Sequence, residues 1–268
     1  MNLFQSFLLG VLQGLTEFIP ISSTAHLLIG QHVLGIPADN TGLFVFNVLV
    51  QLGTLLALIV FFWKDLWAIL KAFFAKPFST PLNRLAWYIL IATIPALIFG
   101  YLLKSTVEAL FQTQLLEAAI RLFITAVLLT LAEWLGKRNR NLEKMTWTDA
   151  LFVGLAQVLA VFPGASRSGT TISGGMARGL DRPSAARFAF LMAVPVMLAA
   201  GGYESLDLLK LPHLSSFLPI VIVGFVAAAV VGWFTIRWLL GYLNRHSLYV
   251  FAIYCAVVGA ACLIFSIA

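Results

Sequence analysis

Residues 13–26 read QGLTEFIPISSTAH. An apolar N-terminal segment here carries Glu17, then Ser22, Ser23 and Thr24 in a row, then His26, with Pro20 between the acid and the hydroxyls. Proline disfavours helix at the residue before it, so a helix arriving from Leu3 is expected to stop near Ile19. Ser22 or Ser23 can cap a new helix running through Leu34. A broken polar helix is costly in lipid. It is tolerated where protein buries it or where it lines a wet cavity.

The rest of the chain is apolar. Hydrophobic residues make up 61% and charged residues 10%, against roughly 25% charged in a soluble domain, and the mean hydropathy is +0.97. This composition defines a polytopic helical membrane protein. The net charge of +6 does not indicate nucleic acid, because the bases recur between apolar segments as membrane orientation requires. Cys255 and Cys262 lie seven apart on one segment, about 10.5 Å along a helix, too far for a disulfide within it. No Cys/His metal pattern is present, and MNLFQS has neither the positive region nor the cleavage site expected of a signal peptide.

Apolar stretches long enough to cross a bilayer are expected at 43–62, 85–103, 115–134, 188–202, 217–240 and 248–267. Residues 64–84 read as a polar connection, and 150–180 as a second broken region divided at FPGASRSG. The expected architecture is all-α, one membrane domain over 1–268. It has a first re-entrant hairpin (1–42), three spans (43–134), a second re-entrant hairpin (150–180) and three more spans (188–268). With both hairpins returning to their own side, 13 of the 17 bases face the cytoplasm, in groups at 64–84, 137–144, 178–187 and 237–245. Lys104 and Lys210 face outward, Arg121 and Arg167 lie at membrane depth, and both termini are outside.

The two broken segments resemble each other. Gly10, Gln13, Phe18, Pro20 and Ser22-Ser23 line up with Gly154, Gln157, Phe162, Pro163 and Ser166-Arg167-Ser168, with a one-residue slip at the proline. Three full spans separate them, so the hairpins enter from opposite sides. That is an inverted-topology repeat, which places interrupted helix ends near the bilayer midplane.

Such ends, at 22–24 and 166–168, offer free backbone N–H groups and partial positive charge, which suit phosphate. Ser22, Thr24, Gly164, Ser166, Arg167, Ser168 and Thr171 form the candidate phosphate-binding set. Arg167 has no local acid. It is matched either by a phosphate or by Glu17 across the repeat. Glu17 reads either as a buried carboxylate satisfied by Arg167 or backbone, or as a metal ligand or proton-handling group with Gln13 one turn earlier. His26 is a candidate general acid/base or nucleophile. His32, His213 and His246 read as solvated. Glu117 and Arg121 are expected to pair along one helix, and Asn47 and Gln51 either line the cavity or bond another helix.

The motifs QGLTEFIPISSTAH at 13–26 and PGASRSGTTISGG at 163–175, with the helices between them, resemble the bacterial undecaprenyl-diphosphate phosphatases of the bacitracin-resistance type over essentially the whole length. The resemblance implies an enzyme of the cytoplasmic membrane, open to its outer face, that hydrolyses a C55 polyprenyl diphosphate lipid to the monophosphate and phosphate. This recycles the carrier for cell-wall synthesis. It places the family's acidic motif on Gln13 and Glu17, its serine and histidine on Ser23 and His26, and its arginine on Arg167. It also implies dependence on a divalent cation, Mg²⁺ or Ca²⁺, for which Gln13 and Glu17 are the candidate ligands. A homodimer is compatible with it.

On this reading Arg167 and the two helix ends hold the diphosphate, and Ser23 or His26 attacks the terminal phosphorus, or His26 activates water. Glu17 orients His26 or handles its proton. A lipid-phosphate transporter or flippase is the rival class, since inverted repeats also serve alternating access. Topology is directly testable. A cysteine replacing Asp39 is expected to react with an impermeant thiol reagent on intact cells, and one replacing Arg140 is not; the reverse pattern would overturn the orientation.

Overall fold

The computed structural model describes residues 1–37, 41–103, 114–160, 165–204 and 214–267. Among them there are eleven α-helices and no strand. The first pair, α1 (Leu3–Thr16) and α2 (Ser23–Val33), is followed by α3 (Thr41–Phe61), α4 (Trp63–Phe73), α5 (Pro81–Leu102) and α6 (Gln114–Leu135). A short 3₁₀ turn (Leu142–Lys144) leads to the second pair, α7 (Trp147–Val158) and α8 (Arg167–Ala177). The chain ends in α9 (Arg182–Glu204), α10 (Leu214–Leu243) and α11 (Tyr249–Ile267).

Six helices are long and apolar enough to cross a membrane: α3, α5, α6, α9, α10 and α11. The paired helices are not. At 14 residues α1 is the longest of them, about 21 Å at 1.5 Å per residue against a hydrocarbon core of ~30 Å. These lengths are consistent with re-entrant hairpins.

Both outer helices of the pairs start in the same way. The Asn2 side chain accepts from the Gln5 N–H and Gln5 returns the bond to the Asn2 backbone, while Thr146 and Asp149 close the same reciprocal box on α7. These caps lie eight residues before Gly10 and Gly154, the glycines aligned by the repeat. Gly10 crosses α10 so closely that an added Cβ would lie 2.9 Å from the Gly224 Cα, and at Gly154 it would lie 2.8 Å from the Ala92 Cα in α5. Thus α1 packs on α10 as α7 packs on α5, α3 packs on α10 as α9 packs on α5, and the repeat is a structural one.

Three sequence expectations are corrected. First, α1 stops at Thr16, short of Ile19, and residues 17–20 form turns in which the Ile21 N–H bonds the Ile19 carbonyl at 2.7 Å. Second, residues 63–73 form a helix where a polar connection was expected. Its Trp63, Trp67, Leu70 and the following Phe74 are exposed at helical spacing, which the intervening Lys64 and Lys71 conceal in the sequence. Third, α9 begins at Arg182 rather than 188. The expectations for Lys104, Lys210, His213 and the Asp39 loop lie outside the described residues.

Several of the bases near the second pair are matched by buried acids. Asp149 accepts from Arg140 at 2.6 Å and Arg178 at 2.8 Å. Glu133 takes a bidentate pair from Arg182, both bonds 2.6 Å, with Arg138 at 2.6 Å and the Leu248 N–H at 2.7 Å. Burial would raise the Asp149 carboxyl, yet bonds from Arg140, Thr146 and Arg178 hold it down to about 2, from 3.8.

A depressed carboxyl stabilises the fold above its unfolded pKa and loses that contribution as pH falls through the folded one. Asp149→Asn is therefore expected to lower the thermal midpoint in detergent near neutral pH, with the gap to the parent narrowing between about pH 4 and pH 2. A gap constant over that range would contradict it. Gly154→Leu is expected to cost about 1–3 kcal/mol or more from overpacking, read as a fall in the same midpoint, and Gly100→Leu, in open space, is expected to cost little.

Candidate active site

The two breaks meet. Arg167, the first residue of α8, donates through Nη2 to Glu17 Oε1, and the Ser168 hydroxyl reaches the Ile19 carbonyl at 3.4 Å. The expected alternative in which Arg167 pairs with Glu17 across the repeat is therefore the observed arrangement. The other carboxylate oxygen, Oε2, accepts from the Ser23 hydroxyl at 2.6 Å and from the Gln13 amide at 2.8 Å. Glu17 is buried, and the Arg167 side chain keeps 19% of its surface exposed. Arginine has five N–H donors, so the guanidinium retains capacity for a second anion.

Around this pair the inner helix ends stay open. Ser22 is the N-cap of α2, but at φ 69° its side chain makes no capping bond, a backbone position disfavoured for a residue with a Cβ. The first amides of α2, on Ser23, Thr24 and Ala25, have no acceptor among the described residues. In α8 the Ser166 hydroxyl caps the Gly169 N–H at 3.1 Å and leaves those of Arg167 and Ser168 open among the described residues. Ser166 also bonds the Ser168 hydroxyl at 3.1 Å, and its own N–H donates to Thr125 Oγ1 of α6 at 3.2 Å. Two half-helices thus aim positive ends at one buried place.

Not every candidate converges. Gly164 lies outside the described residues. Thr24 is exposed. Thr171 is buried with its hydroxyl donating to the Arg167 carbonyl at 2.8 Å, the back-bonding that threonine adopts inside helices, so that donor is spent within α8. The expectation that Glu17 orients His26 is corrected. His26 bonds the Ser22 carbonyl through Nδ1 at 2.9 Å and the Tyr254 hydroxyl through Nε2 at 2.8 Å. Its ring stacks on Tyr254, centroids 5.6 Å apart. Position 26 lies one turn into α2, and its ring turns toward α11 rather than back to the acid. The carboxylate's hydroxyl partner is Ser23.

Elsewhere Asn47 accepts from Gln31 of α2 at 2.8 Å, so it bonds another helix, and Glu117 interacts electrostatically with Arg121 as expected. His32 and His246 are exposed. Sequence reasoning missed Thr125 and Tyr254. Each is a hydroxyl near the middle of a long apolar span, and that polar atom at depth was the available signal.

Among the described residues no three acids, histidines or cysteines cluster as a metal site. A divalent ion bound through one or two protein oxygens plus phosphate and water is nevertheless compatible with the donors present. Gln13 Oε1 is buried without a hydrogen-bond partner among the described residues, one turn before Glu17, and both are hard oxygen donors.

The fold and centre define a class: a multi-pass helical membrane protein whose two inverted, interrupted helix pairs share one buried site of acid, arginine and serine. The chain belongs to the bacitracin resistance protein BacA family, whose profile matches residues 6–261. It is 37% identical to the undecaprenyl-diphosphatase of Methanobrevibacter smithii over 97% of this chain and 96% of that one. It is 41% identical to the undecaprenyl-diphosphatase of Caldicellulosiruptor bescii, over 99% and 98% of the two chains. To that of Anaeromyxobacter dehalogenans it is 41% identical, over 97% and 90%.

Proposed function

We infer that this protein is an undecaprenyl-diphosphatase, hydrolysing the lipid diphosphate to undecaprenyl phosphate and inorganic phosphate. The carrier is thereby returned to cell-wall synthesis. The observation that carries the reading is the triple engagement of Glu17, by Arg167, Ser23 and Gln13, where two helix N-termini meet. Relatives bearing that name match nearly end to end. A carrier would use Arg167 and the helix ends, but it has no need of a serine hydroxyl on the same carboxylate.

The chemistry follows from the geometry. The open amides of α2 and α8 and the spare donors of Arg167 hold the terminal phosphoryl group and stabilise the charge on its equatorial oxygens. Ser23 Oγ passes its proton to Glu17 Oε2 and attacks the terminal phosphorus. The bridging P–O bond breaks and lipid monophosphate leaves. Glu17 gives the serine's proton to the departing lipid monophosphate. Water, giving a proton to the restored carboxylate, then attacks the phosphoserine phosphorus, phosphate leaves, and Ser23 Oγ recovers that proton from Glu17. Gln13 and Glu17 would hold a Mg²⁺ or Ca²⁺ ion, which supplies further charge neutralisation when bound. The grouping of bases between the apolar segments supports a site open to the outer face of the cytoplasmic membrane.

The test is phosphate release from undecaprenyl diphosphate by purified protein. Arg167→Ala, Glu17→Ala and Ser23→Ala are each expected to lower turnover by about 10²–10³-fold or more while the protein still elutes as a folded species. Near-normal turnover in any one removes that residue from the mechanism. No release by the parent protein would remove the reading itself.

A further inference from the structure

Tyr254 has no part in the mechanism above, yet among the described residues it gives His26 its one hydrogen bond from outside α2. It lies on α11, and its phenol joins His26 by a 2.8 Å hydrogen bond and by parallel ring stacking, 10° between planes. The opposite ring nitrogen faces the Ser22 carbonyl at 2.9 Å. A carbonyl only accepts, so Nδ1 must carry a proton. The His26 ring is buried and no carboxylate is among its partners, and an unpaired cation there would be costly. The ring is therefore the neutral Nδ1–H tautomer, and the Nε2 lone pair accepts from Tyr254.

The other end of this link matters more. Ser22 holds φ 69° without a capping bond from its own side chain, and a strained position persists when its surroundings over-determine it. Its carbonyl is gripped by two donors of the same residue, the His26 N–H at 3.2 Å and the His26 ring. The next residue is Ser23, whose hydroxyl stands 2.6 Å from Glu17. We propose that Tyr254 is a positioning residue, which through His26 and the Ser22 carbonyl sets the place of the Ser23 hydroxyl on Glu17. His26 is then a strut between α11 and the break, and the basic nitrogen that would make it a nucleophile is occupied. The inference deepens the phosphatase reading and, for its kinetic part, rests on it.

Histidine-selective ¹⁵N labelling tests the strut without turnover, with the His26 resonances assigned from a His26→Gln sample. The parent protein is expected to show His26 protonated at Nδ1, with its Nε2 resonance displaced by an accepted hydrogen bond. Tyr254→Phe, which retains the ring stack, is expected to lose that displacement. A parent His26 protonated at Nε2, or a resonance unchanged by Tyr254→Phe, overturns the proposal.

In phosphate release, Tyr254→Phe is expected to lower kcat roughly three- to tenfold, the worth of one hydrogen bond, with KM unchanged. In a His26→Gln background it should add no further loss. An equal loss in both backgrounds overturns the route through His26. If the parent protein releases no phosphate, the phosphatase reading falls and the resonance arm still decides the strut.

Discussion

A carboxylate buried in a membrane protein must be met by donors, and Glu17 is met from three helices: Gln13 of α1, Ser23 of α2 and Arg167 of α8. Removing one partner of a buried charge pair costs far more than the pair itself contributes, because the other charge is left uncompensated. This explains why the arginine can remain at depth at all. It also ties the two breaks together, since the first supplies only the acid and the second only the arginine. The pair is not sealed, because the arginine keeps a fifth of its side chain accessible and most of its donors uncommitted.

The two halves share a scaffold and differ in chemistry. Caps at Asn2 and Thr146, glycine crossings at Gly10 and Gly154, and N-cap serines at 22 and 166 recur at one spacing. Between these fixed points the residues diverge: Ser23 corresponds to Arg167, and His26 to Thr170. An inverted repeat thus brings a serine-bearing end and a cationic end to face each other. A single hairpin could not do so, because it presents one N-terminus to one side. Closing the outer helices with their own side chains while leaving the inner ends open directs the unsatisfied amides to the centre.

Much of this was legible in the sequence, for identifiable reasons. Proline after an acid, followed by hydroxyls in an apolar run, leaves little alternative to a broken helix, and charge distribution orients the remainder. The partnership of Arg167 with Glu17 was readable as an alternative because each was otherwise alone at depth. What was hidden depends on rotation about helix axes. That His26 would turn from Glu17 toward α11 follows from a single turn of α2, and Tyr254 lies 228 residues away. Thr171 looked like a donor for phosphate until its hydroxyl was found on its own helix. Helix α4 was obscured because its lysines interrupt an apolar face that becomes continuous only when wound.

The backbone crossings at Gly10 and Gly154 bear on how the centre can be entered. At both, main chain lies against main chain, with only the Ala227 methyl beside the crossing at Gly10, so the two joints resist sliding and tilting together. A machine that rocks one half over the other would have to unseat both at once. Crossings of this kind favour a firm frame, in which local movement near the partly exposed Arg167 guanidinium comes more easily than a rocking of the halves.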